Sequence, residues 1–220
     1  MNHVITTNVP VITAAAQIIV YFVIDMNAMD KLQKTFGLFD AYNQQDPTIL
    51  VWDGVSYPSE YFYAIELYNW VLKLEPNASE AVLLASRSQH IGRWEVPRES
   101  YPAGKAGYLN WRSDLGKFHA AKAGELMAQA GYAEDFIAGV KRIILKQKIK
   151  LDPEVQLMEN ALCLVFLQFQ FEDFIHKHND EKLIHIIKKT WNKMSKPGQD
   201  AALTLNYSDK ALALIGKALA

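Results

Sequence analysis

The stretch from Asp152 to Lys177 constrains the fold more than any other part of the chain. It opens on Asp152-Pro153, and its interior from Ala161 to Phe171 is apolar on nearly every face. A helix of that kind has no side to give to water, so it belongs in the middle of a bundle. The spacing predicts one long helix over 152–177, and the remaining helices have to surround it.

The surrounding pattern agrees. Leu32, Phe36 and Phe39 share one face of a first helix that begins near Met29 and stops at Asp46-Pro47. The run TILVWDGVSY holds a short β-like segment and an Asp-Gly turn, and Pro58 then suits the first turn of a second helix over 59–74. Asn77-Ala-Ser-Glu80 has the form of a capping box and opens a third helix that ends near Ile91-Gly92. Further helices are expected over 105–130, 134–148, 180–194 and 208–219, the last with Ser208 as its N-cap. There is no internal repeat and no alternation of strands with helices, so the expected fold is an all-α, single-domain bundle.

The 220 residues, half of them hydrophobic, are enough for one core, and the formal net charge of −1 gives no overall pull toward nucleic acid or membrane. The single cysteine, Cys163, lies within ALCLVFLQF and reads as a buried small hydrophobe. A disulfide-built secreted protein is excluded, and a reducing cytoplasm fits. Residues 1–28 form an apolar extension, expected to lie outside a folded domain of residues 29–220. Its apolar run, Val9 to Ile24, is sixteen residues long, interrupted by Pro10, Thr13 and Gln17, and is short of a spanning helix. A membrane association is therefore not expected.

Function is concentrated in Ser86 to His119. This segment holds four of the five arginines (Arg87, Arg93, Arg98 and Arg112), although the chain otherwise uses lysine as its cation, eighteen times. Arginine presents a planar fork of donors suited to carboxylate or phosphate oxygens, so something anionic, internal or external, is held here. Trp94 and Tyr101 offer flat surfaces beside it, and the loop from Gly92 to Gly104, with two prolines, is the best lid or binding-loop candidate.

Two inward polar residues stand apart. His119 falls in line with Leu115, Ala123 and Leu126, and Glu159 shares a face with Val155, Leu162 and Phe166. Each has a structural reading, a hydrogen-bonded core histidine and a paired carboxylate, but helical bundles also build metal sites from such residues. His176, His178 and His185 lie in or near the connection HKHNDEK and read as solvated. No phosphate-binding glycine loop, Cys-x-x-Cys, Gly-x-Ser-x-Gly or His-Glu-x-x-His is present, and without a basic helix face no nucleic-acid partner is expected.

The runs RSQHIGRWEVPRESYP, GYLNWRSDLGKFHA, DPEVQLMENALCLVFL and HNDEKLIHIIKKTWNKMS resemble the bacterial and eukaryotic family classed as domain of unknown function 4202, over residues 29 to the C-terminus. That family carries no assigned activity. A more distant similarity is to the HD phosphohydrolases, all-α metal-dependent enzymes. Gln89-His90-Ile91-Gly92-Arg93 resembles their His-Asp dyad region, and His119-Ala-Ala-Lys-Ala-Gly-Glu-Leu resembles their later histidine at the head of a small-residue helix. Glu60 stands roughly at the position of their first histidine and Glu159-Asn160 roughly at that of their last aspartate. The dyad reads Gln-His here, and Asn160 replaces an acid.

This resemblance implies an HD-like bundle that hydrolyses a phosphorylated small molecule or nucleotide. Glu60, His90, His119 and Glu159 would hold a divalent metal ion, with Glu60, His90 and Glu159 catalytic. Arg87, Arg93, Arg98 and Arg112 would clamp the phosphate, and Trp94 and Tyr101 would cover the rest of the substrate. The alternative is a non-catalytic anion- or protein-binding module with a degenerate site, its arginines paired with internal carboxylates such as Glu95, Glu99 and Asp114.

Overall fold

The computed structural model describes residues 31–220, and the expectations about residues 1–28 lie outside them. Helix α1 covers 31–43, with Phe36 and Phe39 buried as their spacing predicts. It leads into an antiparallel hairpin of β1 (Ile49–Trp52) and β2 (Val55–Pro58), the only sheet among the described residues. Both turn residues take positive φ, 48° at Asp53 and 76° at Gly54, as a two-residue turn matched to strand twist requires.

Helix α2 (Ser59–Leu74) follows with no side-chain cap from its own N-cap residue, Pro58. The missing acceptor comes from the end of α1. Asp46 is buried, and its carboxylate accepts from Thr48 N and Glu60 N, each at 2.9 Å. This bond fixes the first turn of α2, and Glu60 with it, against the α1 end.

Helix α3 (Glu80–Ser88) is capped by Ser79, which accepts from Val82 N, two residues later than the sequence pattern suggested. Gly92 then reverses the chain with φ 66°. A side chain there would meet Phe118 and Tyr42 at 2.9 Å, so the turn after His90 admits only glycine.

The loop that follows is braced. It forms two short 3₁₀ turns (Arg93–Glu95 and Arg98–Ser100), Trp111 Nε1 donates to Val96 O at 2.8 Å, and Arg98 donates to Tyr101 O and Pro102 O. The expected lid is instead a fastened corner, because its own arginine satisfies its carbonyls.

Helix α4 (Gly104–Ala130) closes on Gly131, and α5 (Glu134–Ile144) ends four residues before the predicted boundary. There Lys146, Lys148 and Lys150 all take positive φ, which no α-helix allows. The long apolar stretch is two helices, α6 (Pro153–Phe169) and α7 (Phe171–Lys177). The break at Gln170, φ −123°, turns the chain so that Phe171 is fully buried. A side-chain pattern that is apolar all round carries no mark of such a bend.

Three further helices complete the chain: α8 (Asp180–Lys193), α9 (Lys196–Ala202) and α10 (Asp209–Leu219), with Asn179 and Ser208 capping the first and last. Helix α9, with a proline in its first turn, was not foreseen. Helix α6 packs against α2, α5, α8 and α9, and Met158, Ala161 and Leu164 on it are fully buried. The central position read from its composition is the one it occupies. The fold is all-α and single-domain.

Candidate functional site

A branched cleft opens where α2, the α3 end, α4, α6 and α7 meet. Its three arms have volumes of about 350, 390 and 420 Å³, and His90 and Arg112 line all of them. His90 is delivered by the turn that ends α3, and Arg112 by the outer face of α4. Counted over the arms, six lysines and arginines (Arg93, Arg112, Lys117, Lys146, Lys177 and Lys193) face three carboxylates (Glu60, Asp173 and Glu159), so the cleft favours an anion.

The first arm runs past Glu60, Tyr63, Arg93, Asp173 and Lys177. Glu60 is a largely buried carboxylate: its side chain is 11% exposed and its Oε2 has no hydrogen-bond partner. Burial, offset in part by Arg93 and reinforced by Asp46, raises its pKa to about 7. Arg93 Nε stands 3.5 Å from Glu60 Oε1, and its guanidinium lies 5.2 Å from the Trp111 ring. His90 Nδ1 is 4.0 Å from Glu60 Oε2.

The second arm is floored by His119, which is buried on α4 as its spacing predicts. Its Nδ1 is bonded to Ile91 O at 2.7 Å, and its Nε2 has no partner. If Nδ1 carries the proton toward that carbonyl, Nε2 is left as an acceptor. Burial lowers the His119 pKa to about 4. His90, with its ring centroid 5.8 Å from that of His119, is also held well below the usual histidine value, by burial and by the fields of Arg93 and its other cationic neighbours. Both imidazoles are neutral at pH 7.

The third arm has apolar walls and a charged floor. Glu159 is buried, with Lys146 Nζ 2.7 Å from Oε2 and Lys193 Nζ 3.2 Å from Oε1. These lysines hold its pKa below the ordinary value against the effect of burial. Cys163 lines the same arm with its thiol pushed up to about 12 by burial, so it is no nucleophile at neutral pH.

The structure therefore brings Glu60, His90, His119, Arg93 and Arg112 together, sets Glu159 in the third arm of the same cleft, and sends Arg87, Arg98, Trp94 and Tyr101 elsewhere. Arg87 is buried in an ion pair with Asp40 and lies over the rings of Phe36 and Tyr68. Arg98 ties down its own loop, Trp94 packs near Tyr42, and Tyr101 bonds Asp114 at 3.3 Å. None of these four lines an arm of the cleft. The metal set expected from sequence does not fit as a unit, because Glu159 is already held by two lysines. Among the described residues, no three His, Cys, Asp or Glu side chains are arranged to hold one ion.

Lys146, Lys177, Lys193, Tyr63 and Phe174 were missed. Lysine is spread along the whole chain, and an aromatic residue at helical spacing reads as core, so the sequence carried no signal for them.

The fold and cleft define an all-α, single-domain protein with a cationic cleft around a buried carboxylate and two neutral histidines. The chain belongs to the family described as domain of unknown function (DUF4202), whose model matches residues 33–215. Searches of curated proteins and of solved structures returned no significant match. No helix among the described residues is long and apolar enough to cross a membrane.

Proposed function

We propose that this protein is a hydrolase of phosphorylated small molecules. The observation that carries the reading is Arg112, which lines all three arms and has no ion-pair or hydrogen-bond partner among the described residues. A cleft-lining guanidinium left unpaired is a ready receptor for phosphate, which it binds in bidentate fashion.

Glu60 supplies the second half. A carboxyl group with a pKa near 7 is matched to proton transfer at neutral pH. In its ionised form it takes a proton from a water attacking phosphorus, while Arg93 and Arg112 face the charge on the phosphoryl oxygens. The ester P–O bond breaks, and the proton passes to the departing oxygen. His90, neutral and 4.0 Å from Glu60, orients the water or a phosphoryl oxygen by hydrogen bonding. The likeness of the Gln89–Arg93 and His119 segments to the HD phosphohydrolases supports the same class of reaction.

The test is phosphate release from a panel of phosphomonoesters, with and without Mg, Mn, Co, Ni or Zn, for the wild type, Glu60→Gln and Arg112→Lys. Release that both substitutions abolish supports the hydrolase. Calorimetric binding of inorganic phosphate without turnover of any ester would leave the non-catalytic binding module as the function.

A further inference from the structure

We infer that the third arm of the cleft holds an unsaturated ring, so that the ligand is a phosphate ester carrying an aromatic or heteroaromatic group. This rests on the reading of the cleft as a phosphate site and goes beyond it by naming what the phosphate is attached to.

The arm is continuous with the proposed phosphate site. Tyr63, His90, Arg112 and Phe174 line both of them, so a ligand with its anionic end at Arg112 has its other end among the walls of the third arm. Those walls mix aliphatic side chains such as Leu162 and Ile186 with aromatic ones brought by three helices: Tyr63 on α2, Phe166 on α6 and Phe174 on α7. Phe166 and Phe174 meet edge to face, with centroids 5.7 Å apart. Neither is fully buried, so part of each ring is left for another group. The volume of about 350 Å³ lies within the range of small-molecule sites. The break at Gln170 turns α7 so that Phe174 reaches this wall while Phe171 enters the core.

An aliphatic chain would gain from burial here, but a flat ring also gains from offset and edge contacts with the three aromatic side chains. Lys146 and Lys193 on the floor add cations over which a π face or a ring acceptor is favourably placed.

The test is calorimetric binding of inorganic phosphate, glycerol phosphate and phenyl phosphate to the full chain, with Phe174→Leu and Tyr63→Leu as variants and their melting temperatures recorded. Phenyl phosphate should bind at least roughly tenfold more tightly than glycerol phosphate, as one ring stacked on aromatic side chains would give. That gain, read within each variant against its own glycerol phosphate affinity, should shrink in a folded Phe174→Leu or Tyr63→Leu protein. Equal binding of all three anions to the wild type would overturn the inference and leave the phosphate site standing. A ring preference unaffected by either substitution would also overturn it. If none of the three anions binds, the phosphate site itself fails and the inference falls with it.

Discussion

Asp46 and Glu60 are joined through the backbone and opposed through charge. Asp46 Oδ2 accepts a hydrogen bond from Glu60 N at 2.9 Å, and the same carboxylate raises the pKa of the Glu60 side chain. One acid thus starts helix α2 and helps set the acidity of the group that α2 presents to the cleft. Asp46→Asn removes the charge and keeps one oxygen acceptor, enough for only one of Thr48 N and Glu60 N. The Glu60 pKa should then fall below about 7, read from the carboxyl carbon shift in an NMR titration, while the lost second acceptor costs roughly the 1 kcal/mol of a deleted cap. An unchanged titration would show that burial and Arg93 set the value without Asp46.

Stability should rise from pH 4 and level off near pH 7. Glu60 titrates near 7 in the fold against 4.5 ordinarily, so its contribution is full below pH 4.5 and is lost as the pH rises through 7. His119 titrates near 4 against 6.5, and His90 is lowered in the same direction, so their contributions are full above pH 6.5 and are lost as the pH falls toward 4. Between about pH 4.5 and 6.5 the two histidines outweigh the one carboxyl, and above about pH 7 all three contributions are level. Urea unfolding from pH 4 to 9 should give this rise and plateau. Glu60→Gln should steepen the rise between about pH 4.5 and 7, and His119→Asn should flatten it.

Much of this fold could be read from sequence because local rules and global packing agree. The Asp53-Gly54 turn, the Ser208 cap and the apolar girth of α6 each carry a direct physical signature. The cleft was legible only in part. His119 and Glu159 were placed inward by helical spacing, and both are 2% exposed. The density of arginines in 87–112 signals that anions are held, but it cannot say which ones. Arg87 meets Asp40, forty-seven residues away, and no local pattern records that partner. Lys146 was hidden for another reason: its positive φ breaks a periodicity that predicted continued helix.

The arginines should therefore divide into two groups. Arg87 is buried but its partner Asp40 is 22% exposed at its side chain, so removing the arginine should cost less than the roughly 3 to 5 kcal/mol of a fully buried pair, on the order of 2 to 3 kcal/mol. Arg87→Met should lower the melting temperature by roughly 4 to 12 °C for a domain of this size. Arg112 is exposed and unpaired, so Arg112→Met should move the melting temperature by less than about 2 °C, as surface changes do. Phosphate affinity should show the reverse order, falling on the order of tenfold or more with Arg112→Met, in line with a lost charged hydrogen bond. Calorimetry and thermal melts on the two variants are sufficient. A stability loss at Arg112 matching that at Arg87 would assign it to the fold.

The lysines on Glu159 should be unequal. Lys146 is 23% exposed at its side chain and 2.7 Å from Oε2, whereas Lys193 is 55% exposed and 3.2 Å from Oε1. Solvent screens the second pair, so Lys193→Met should cost no more than about 1 kcal/mol. Lys146→Met leaves a buried carboxylate with only that screened partner and should cost on the order of 3 kcal/mol. Most of that cost is uncompensated charge, so adding Glu159→Gln to Lys146→Met should recover stability although a further native group is removed. Urea unfolding of the two single variants and the double gives the coupling directly. If the double variant is no more stable than Lys146→Met alone, Lys146 acts through packing and backbone conformation, and the charged floor of the third arm is not what fixes Glu159.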